Sequence, residues 1–176
     1  MNDDLKDVVK RQKTDEAKAS VAADADWSVT FRVSGLPTAK GNLRAFPIRR
    51  RDGRLGVSMS ESRRVADWVA SVRAAAAAAY GDQPPKSEAV ICLFRFYFPR
   101  PKSHYRGKKA APDRLRPDAP KYMTTKPDID KLARAVCDAL KGVVFTDDAV
   151  IVGILALKLY CSYDQGPGVA VAAMNP

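Results

Sequence analysis

The sequence predicts a single α+β domain, a mixed β-sheet packed with two main helices. Three observations carry that prediction: strand-type segments outnumber helical ones, the connections between them are irregular in length, and no internal repeat is present. The chain has 176 residues, 46% hydrophobic and 28% charged. That is ordinary globular usage, which suits one domain and excludes a wholly disordered chain. No stretch approaches the roughly 18 apolar residues that span a bilayer. The polar, mixed-charge start from Met1 to Lys18 does not read as a secretory signal, so no membrane partner and a cytoplasmic location are expected. Residues 1–26 lack a sustained apolar period and read as a polar N-terminal tail, leaving 27–176 as the folded domain. Cys92, Cys137 and Cys161 form no C-x-x-C pair and read as buried, reduced thiols. A single histidine, His104, excludes histidine-paired zinc sites and H-E-x-x-H hydrolases.

Trp27, Val29, Phe31 and Val33 alternate with polar neighbours, the period of a half-buried strand that Gly35-Leu36-Pro37 ends. Thr38 to Arg54 reads as a basic loop or hairpin turning at Asp52-Gly53. Ser58-Met59-Ser60-Glu61 fits a capping box, and a helix is expected after it, with Val65, Trp68, Val69 and Val72 on one stripe. The run Ala74 to Ala79 extends that helix to Gly81. Glu88 to Phe98 is a dense apolar and aromatic run, expected as a central strand. Arg100 to Thr125 holds too many prolines and charges for regular structure, and irregular segments longer than about 12–15 residues tend to be functional or disordered. A second helix is expected from about Asp130 to Leu140, burying Leu132, Ala135, Val136, Ala139 and Leu140 and stopping at Gly142. Val150 to Cys161 reads as another apolar strand, and Gly168 to Met174 as a last edge strand.

The net charge of +10 is unevenly spread. Residues 1–26 carry five basic and seven acidic side chains, so the remainder is more basic than the whole. From Arg95 to Lys126 ten basic residues face only Asp113 and Asp118, and Arg44, Arg49, Arg50, Arg51 and Arg54 cluster around Asp52 alone. Such clusters attract a polyanion, because each neutralised phosphate releases condensed counterions. A solvated loop kept soluble by charge is the plainer account.

The sharpest local feature is Lys126-Pro127-Asp128-Ile129-Asp130, followed by Asp147-Asp148. A chain extended through Ile129 would point Asp128 and Asp130 the same way and Ile129 toward the core. Asp130 can then cap the helix, where its charge meets the positive end of the helix dipole. Two ionised carboxylates pointing together repel, and a hard divalent cation such as Mg²⁺ compensates them. Asp148 or Asp147 could complete that site. Without a metal, Asp130, Arg134 and Asp138 at i, i+4, i+8 would make a surface ion-pair ladder. Beside a basic flank, however, such carboxylates are what phosphodiester cleavage needs.

The stretch from Lys126 to Asp148, KPDIDKLARAVCDALKGVVFTDD, closely resembles the signature of the RusA-type Holliday junction resolvases, K-P-D-x-D-N-L-x-K-x-x-x-D-A-L-x-G followed by an aromatic and D-D. Gly35-Leu36-Pro37, Lys40 and Phe98-Pro99-Arg100-Pro101-Lys102-Ser103 are similar to the phage branch of that family. The resemblance covers roughly residues 27–160. It implies a RusA-like fold and a homodimeric, Mg²⁺-dependent endonuclease (Mn²⁺ as a possible substitute) that cuts four-way DNA junctions symmetrically in recombination and repair. The family's three carboxylates fall on Asp128, Asp130 and Asp148, with Asp147 as the possible alternative and Asp138 as the mid-helix aspartate. Two positions depart from the pattern: Lys131 stands for an asparagine, and Arg134 for a lysine. Arginine keeps the charge and binds phosphate bidentately but does not readily donate a proton, so Arg134 is expected to position phosphate. Candidate DNA contacts are Lys40, Arg44, Arg100, Lys102, Arg106, Lys108, Lys109, Lys126 and Lys131. A basic DNA-binding protein of the same descent, without catalysis, is the alternative.

Overall fold

The computed structural model describes residues 27–41, 44–49, 51–60, 62–107, 114–162 and 165–176. The expected tail, 1–26, and the candidate contacts Lys108 and Lys109 lie outside the described residues. Strand β1 (Val29–Ser34) is followed by a hairpin of β2 (Arg44–Arg49) and β3 (Leu55–Ser60), helix α1 (Arg63–Tyr80), β4 (Val90–Phe98), helix α2 (Ile129–Leu140), β5 (Ile151–Tyr160) and β6 (Gly168–Met174). The main sheet has the order β1-β6-β4-β5, and β2-β3 forms a separate ribbon. β6 pairs antiparallel with β1 and with β4, whereas β4 and β5 run parallel. This is the mixed sheet and two-helix α+β architecture that the sequence predicts.

The elements follow from their residues. In β4 the residues Val90, Cys92, Phe94, Phe96 and Phe98 are buried on one face, with Phe94 and Phe96 meeting edge to face at a centroid distance of 6.2 Å. In α1, Val65, Trp68, Val72, Ala76 and Tyr80 are buried, continuing the predicted stripe to the helix end, where Gly81 (φ +68°) donates to the Ala77 carbonyl. In α2, all five predicted core residues are buried, together with Ala133 and Cys137. The two helices pack on each other, α1 also over β1 and α2 over β5, and with the inner sheet face they enclose one core. The three cysteines are buried and unbonded, as expected.

Four expectations need correction. The predicted capping box is not a helix start: Ser58, Met59 and Ser60 pair with Phe46, Ala45 and Arg44 in the ribbon. The strand runs through the expected cap, and α1 begins instead at Arg63 with Ser62 as N-cap. β6 is not an edge strand but lies between β1 and β4. Val169, Val171 and Ala173 are buried on its core face, and Gly168 and Ala172 on the other. The segment 100–125 is not wholly irregular: a 3₁₀ turn at Lys102–His104 leads into a bridge between Tyr105 and Leu115, and Arg106 N–H donates to the Arg114 carbonyl. Helix α2 starts one residue early, at Ile129, so Asp128 rather than Asp130 is its N-cap residue, and Ile129 is 38% exposed instead of core-facing.

Gly168 is required by the sheet itself. A Cβ there would stand 2.3 Å from the Val33 carbonyl oxygen across the β1–β6 pair. Its nearest neighbours there are all β1 backbone, of Val33 and Ser34, so no flexible side chain can yield. Gly168→Ala should therefore lower stability by about 1–3 kcal/mol, the usual cost of overpacking, read as a fall in the denaturant midpoint.

Candidate active site

The parallel pairing of β4 with β5 cannot be closed by a hairpin and needs a long crossover. Here the crossover contains the basic segment 100–126, the K-P-D-I-D motif, α2 and Asp147-Asp148. Helix α2 and the last turn of the crossover come together beside the first half of β5. Asp130 and Arg134 from α2, and Asp148 from the 3₁₀ turn Asp148–Val150, line one open pocket of about 620 Å³. Its remaining walls are apolar, among them Ile129, Ala133, Ile151, Ile154 and Ala156. All three polar residues are exposed.

The four acids are treated differently by the fold. Asp147 is engaged locally: one carboxylate oxygen accepts from Ala149 N–H at 3.0 Å and the other meets Lys141 Nζ at 2.5 Å. Lys141, and then the Ala149 amide, hold its pKa below the usual carboxylate range. Asp148 faces the pocket. Asp128 is not among the pocket-lining residues; its carboxylate pairs with Lys131 Nζ at 2.9 Å, and Lys131 depresses its pKa. The cause is geometric. Once the helix starts at Ile129, residues two apart no longer share a face, so Asp128 and Asp130 diverge rather than point together. Accordingly, among the described residues no group of three acidic, histidine or cysteine side chains is assembled closely enough to hold a metal. Asp130 and Asp148 remain as the pair that shares the pocket.

The ion-pair ladder Asp130–Arg134–Asp138 is not formed among the described residues. Asp138 pairs instead with Lys40 at 2.5 Å, and its carbonyl accepts from Arg73. Lys40 N–H also donates to the Lys131 carbonyl, so the chain after β1 is fastened to the outer side of α2. Cys137 lines the pocket, but burial pushes its thiol up to about 12, which removes it as a thiolate nucleophile.

The basic candidates are spread over several surroundings. Lys102, Arg106 and Lys126 are exposed. Arg100 is half-buried, with its guanidinium 5.5 Å from the Tyr160 ring centre and donating to the Pro120 carbonyl. Arg44 lies in β2, in register with Ser60. The rings of His104 and Tyr160 meet edge to face with centroids 4.8 Å apart, which seats the basic segment against the end of β5. Sequence reasoning missed Lys158, which donates to two carbonyls of the crossover. The signal was present: a lone lysine inside the apolar run Ile154 to Tyr160.

Two acids and an arginine at the edge of a mixed sheet, beside a basic connection, make a layout suited to phosphate chemistry. Comparison with known proteins gives that layout a family. The sequence profile of the family described as Endodeoxyribonuclease RusA matches residues 35–173. The chain is also similar to the uncharacterized protein YqaN of Bacillus subtilis (strain 168), at 30% identity over 137 residues, 75% of this chain and 87% of that relative. The chain belongs to the RusA endodeoxyribonuclease family.

The Asp128–Lys131 pair generates a prediction with a definite sign. A carboxylate whose folded pKa is depressed contributes stability above its unfolded pKa, and loses it as pH falls through the folded value. Lys131→Met should raise the Asp128 pKa toward the ordinary carboxylate range, measured by carboxyl ¹³C NMR titration, and leave that of Asp147 unchanged.

Proposed function

We propose that this chain is a metal-dependent endonuclease that resolves four-way DNA junctions by paired phosphodiester hydrolysis, in recombination and repair, acting in the cytoplasm as a homodimer. The carrying observation is the convergence of Asp130, Arg134 and Asp148 on one pocket, within a chain of the RusA family. The catalytic unit is residues 27–176. The two exposed carboxylates offer hard oxygen donors, and Mg²⁺ commonly binds through one or two carboxylates plus water and substrate phosphate. Asp130 and Asp148 would hold Mg²⁺ (or Mn²⁺), with Asp128 as the family's third acid once its pairing with Lys131 is exchanged. A cation there supplies Lewis-acid stabilisation of charge developing on the phosphate. Arg134, exposed at the pocket wall, binds a non-bridging phosphate oxygen through its planar fork and orients the scissile group. The exposed Lys102, Arg106 and Lys126 of the crossover attract the DNA backbone.

Paired cleavage of opposed strands needs two equivalent sites, which a C₂ dimer supplies. The second copy is assigned to the outer edge of β5. Among the described residues that edge is paired only near Leu159, with Tyr122, and nearer its start Val152, Ile154 and Leu155 are 63%, 48% and 56% exposed. Such an apolar edge is a liability unless covered. Val152→Asp should shift the protein toward a 19 kDa monomer in light scattering; a variant that stays dimeric at micromolar concentration would remove β5 from the interface.

The central test is Asp148→Asn. The change is nearly isosteric at an exposed turn, so the fold should barely notice it. Junction cleavage in Mg²⁺ should be abolished, while binding in EDTA should stay level or tighten because a negative charge beside the phosphates is gone. Asp130→Asn should behave alike and its loss should not add. Asp147→Asn, whose carboxylate is spent on Lys141 and Ala149, should be milder. Wild-type cleavage by Asp148→Asn and Asp130→Asn would sink the metal-site reading.

A further inference from the structure

Strand β5 carries a lysine where its neighbours on the same face are apolar. Ala156 and Tyr160 pack against the core, and Lys158, midway between them and so on the same face, is half-buried. Its Nζ donates to the Thr125 carbonyl at 2.6 Å and to the Pro127 carbonyl at 2.8 Å. These two acceptors flank Lys126, and the second immediately precedes Asp128.

The surrounding backbone shows why that position matters. Met123 N–H donates to the Lys158 carbonyl and Tyr160 N–H to the Lys121 carbonyl, both at 3.0 Å, so Tyr122 pairs antiparallel with Leu159. The next backbone bond is the first of α2, from Leu132 N–H to the Asp128 carbonyl at 3.2 Å. Between the two, among the described residues, no backbone–backbone hydrogen bond anchors the chain. The Lys158 ammonium spans that gap. Hydrogen bonds from a charged donor are roughly twice as strong as neutral ones, and two of the three ammonium protons are used here.

We propose that Lys158 is a positioning residue for the acidic site: it holds the arm 125–127 so that α2 starts where Asp130 meets Asp148 across the pocket. The inference rests on reading that pocket as a metal site. A group that orients ligands without touching the metal typically changes metal affinity by about 10–100-fold.

The test uses the intact protein and two measurements. Lys158→Met keeps the length and apolar character of the stem and removes all three donors; Lys158→Arg returns charged donors. Amide exchange of Leu132, measured without metal, should be about tenfold faster in Lys158→Met. Met123, whose bond uses only the Lys158 backbone, should be unchanged. Mn²⁺ affinity, read by electron paramagnetic resonance, should fall about tenfold, and Lys158→Arg should restore most of both properties. Should Lys158→Met fail to fold, Lys158→Gln should show the same two losses, because its shorter stem cannot reach both carbonyls. Leu132 exchange and Mn²⁺ affinity both within twofold of wild type would overturn the proposal. Faster Leu132 exchange with unchanged Mn²⁺ affinity would also overturn it, since the pin would then be architectural only. If wild-type protein held no Mn²⁺ at millimolar concentration, the metal reading would fall instead, and the contrast between Leu132 and Met123 would still decide whether Lys158 holds the arm.

Discussion

The parallel pairing of Val90–Phe98 with Ile151–Tyr160 is the constraint on which the site depends. A parallel pair forces the chain to leave one end of β4 and return to the other end before β5 can form. The acidic site and the longest basic segment sit on that return path: residues 100–126, the two acids at the start of α2, the arginine one turn on, and the acidic pair before β5. Because α2 must lie against the inner sheet face to bury Leu132, Val136 and Leu140, its exposed flank falls beside β5. Asp130 and Asp148 are 18 positions apart and line one pocket because the crossover closes there.

Lysines and acids tie the periphery of this crossover together. Lys141 holds Asp147, Lys131 holds Asp128, Lys40 holds Asp138, and Lys158 holds the arm before α2. Exposed ion pairs contribute little stability on average, so their value lies in orientation. The pairing sorts the acids by consequence: Asp147 is spent twice over, Asp128 once, and Asp130 and Asp148 are left to the pocket. A surplus of positive charge is therefore only partly a nucleic-acid signal. Arg100 is committed to Tyr160 and Pro120, whereas Lys102, Arg106 and Lys126 remain exposed.

Much of the fold was legible because the signals were local. Val65, Trp68 and Val72 mark the inner face of α1, and Gly81 ends it; the five apolar residues of α2 face the core as their spacing predicts. The errors came where two local readings competed. Ser58-Met59-Ser60-Glu61 satisfies the pattern of a capping box, yet Ser58–Ser60 found backbone partners in β2, and no side-chain cap can compete with a formed ladder. Asp128 and Asp130 would share a face in a strand and diverge in a helix; the helix began one residue too early for the first arrangement.

The sequence by itself determined which residues carry the chemistry and which lie inside. Helical periodicity, the dense run of β4 and the K-P-D-I-D motif with its trailing Asp147-Asp148 are properties of neighbours in the chain, set by side-chain volume, charge and backbone preference. Only the tertiary structure decided that β6 is enclosed rather than at an edge, that Asp148 and not Asp147 faces the pocket, and that Lys158 reaches the arm before α2. Each of those depends on which strand lies beside which, and strand order is fixed by the packing of surfaces far apart in sequence. No local pattern encodes it.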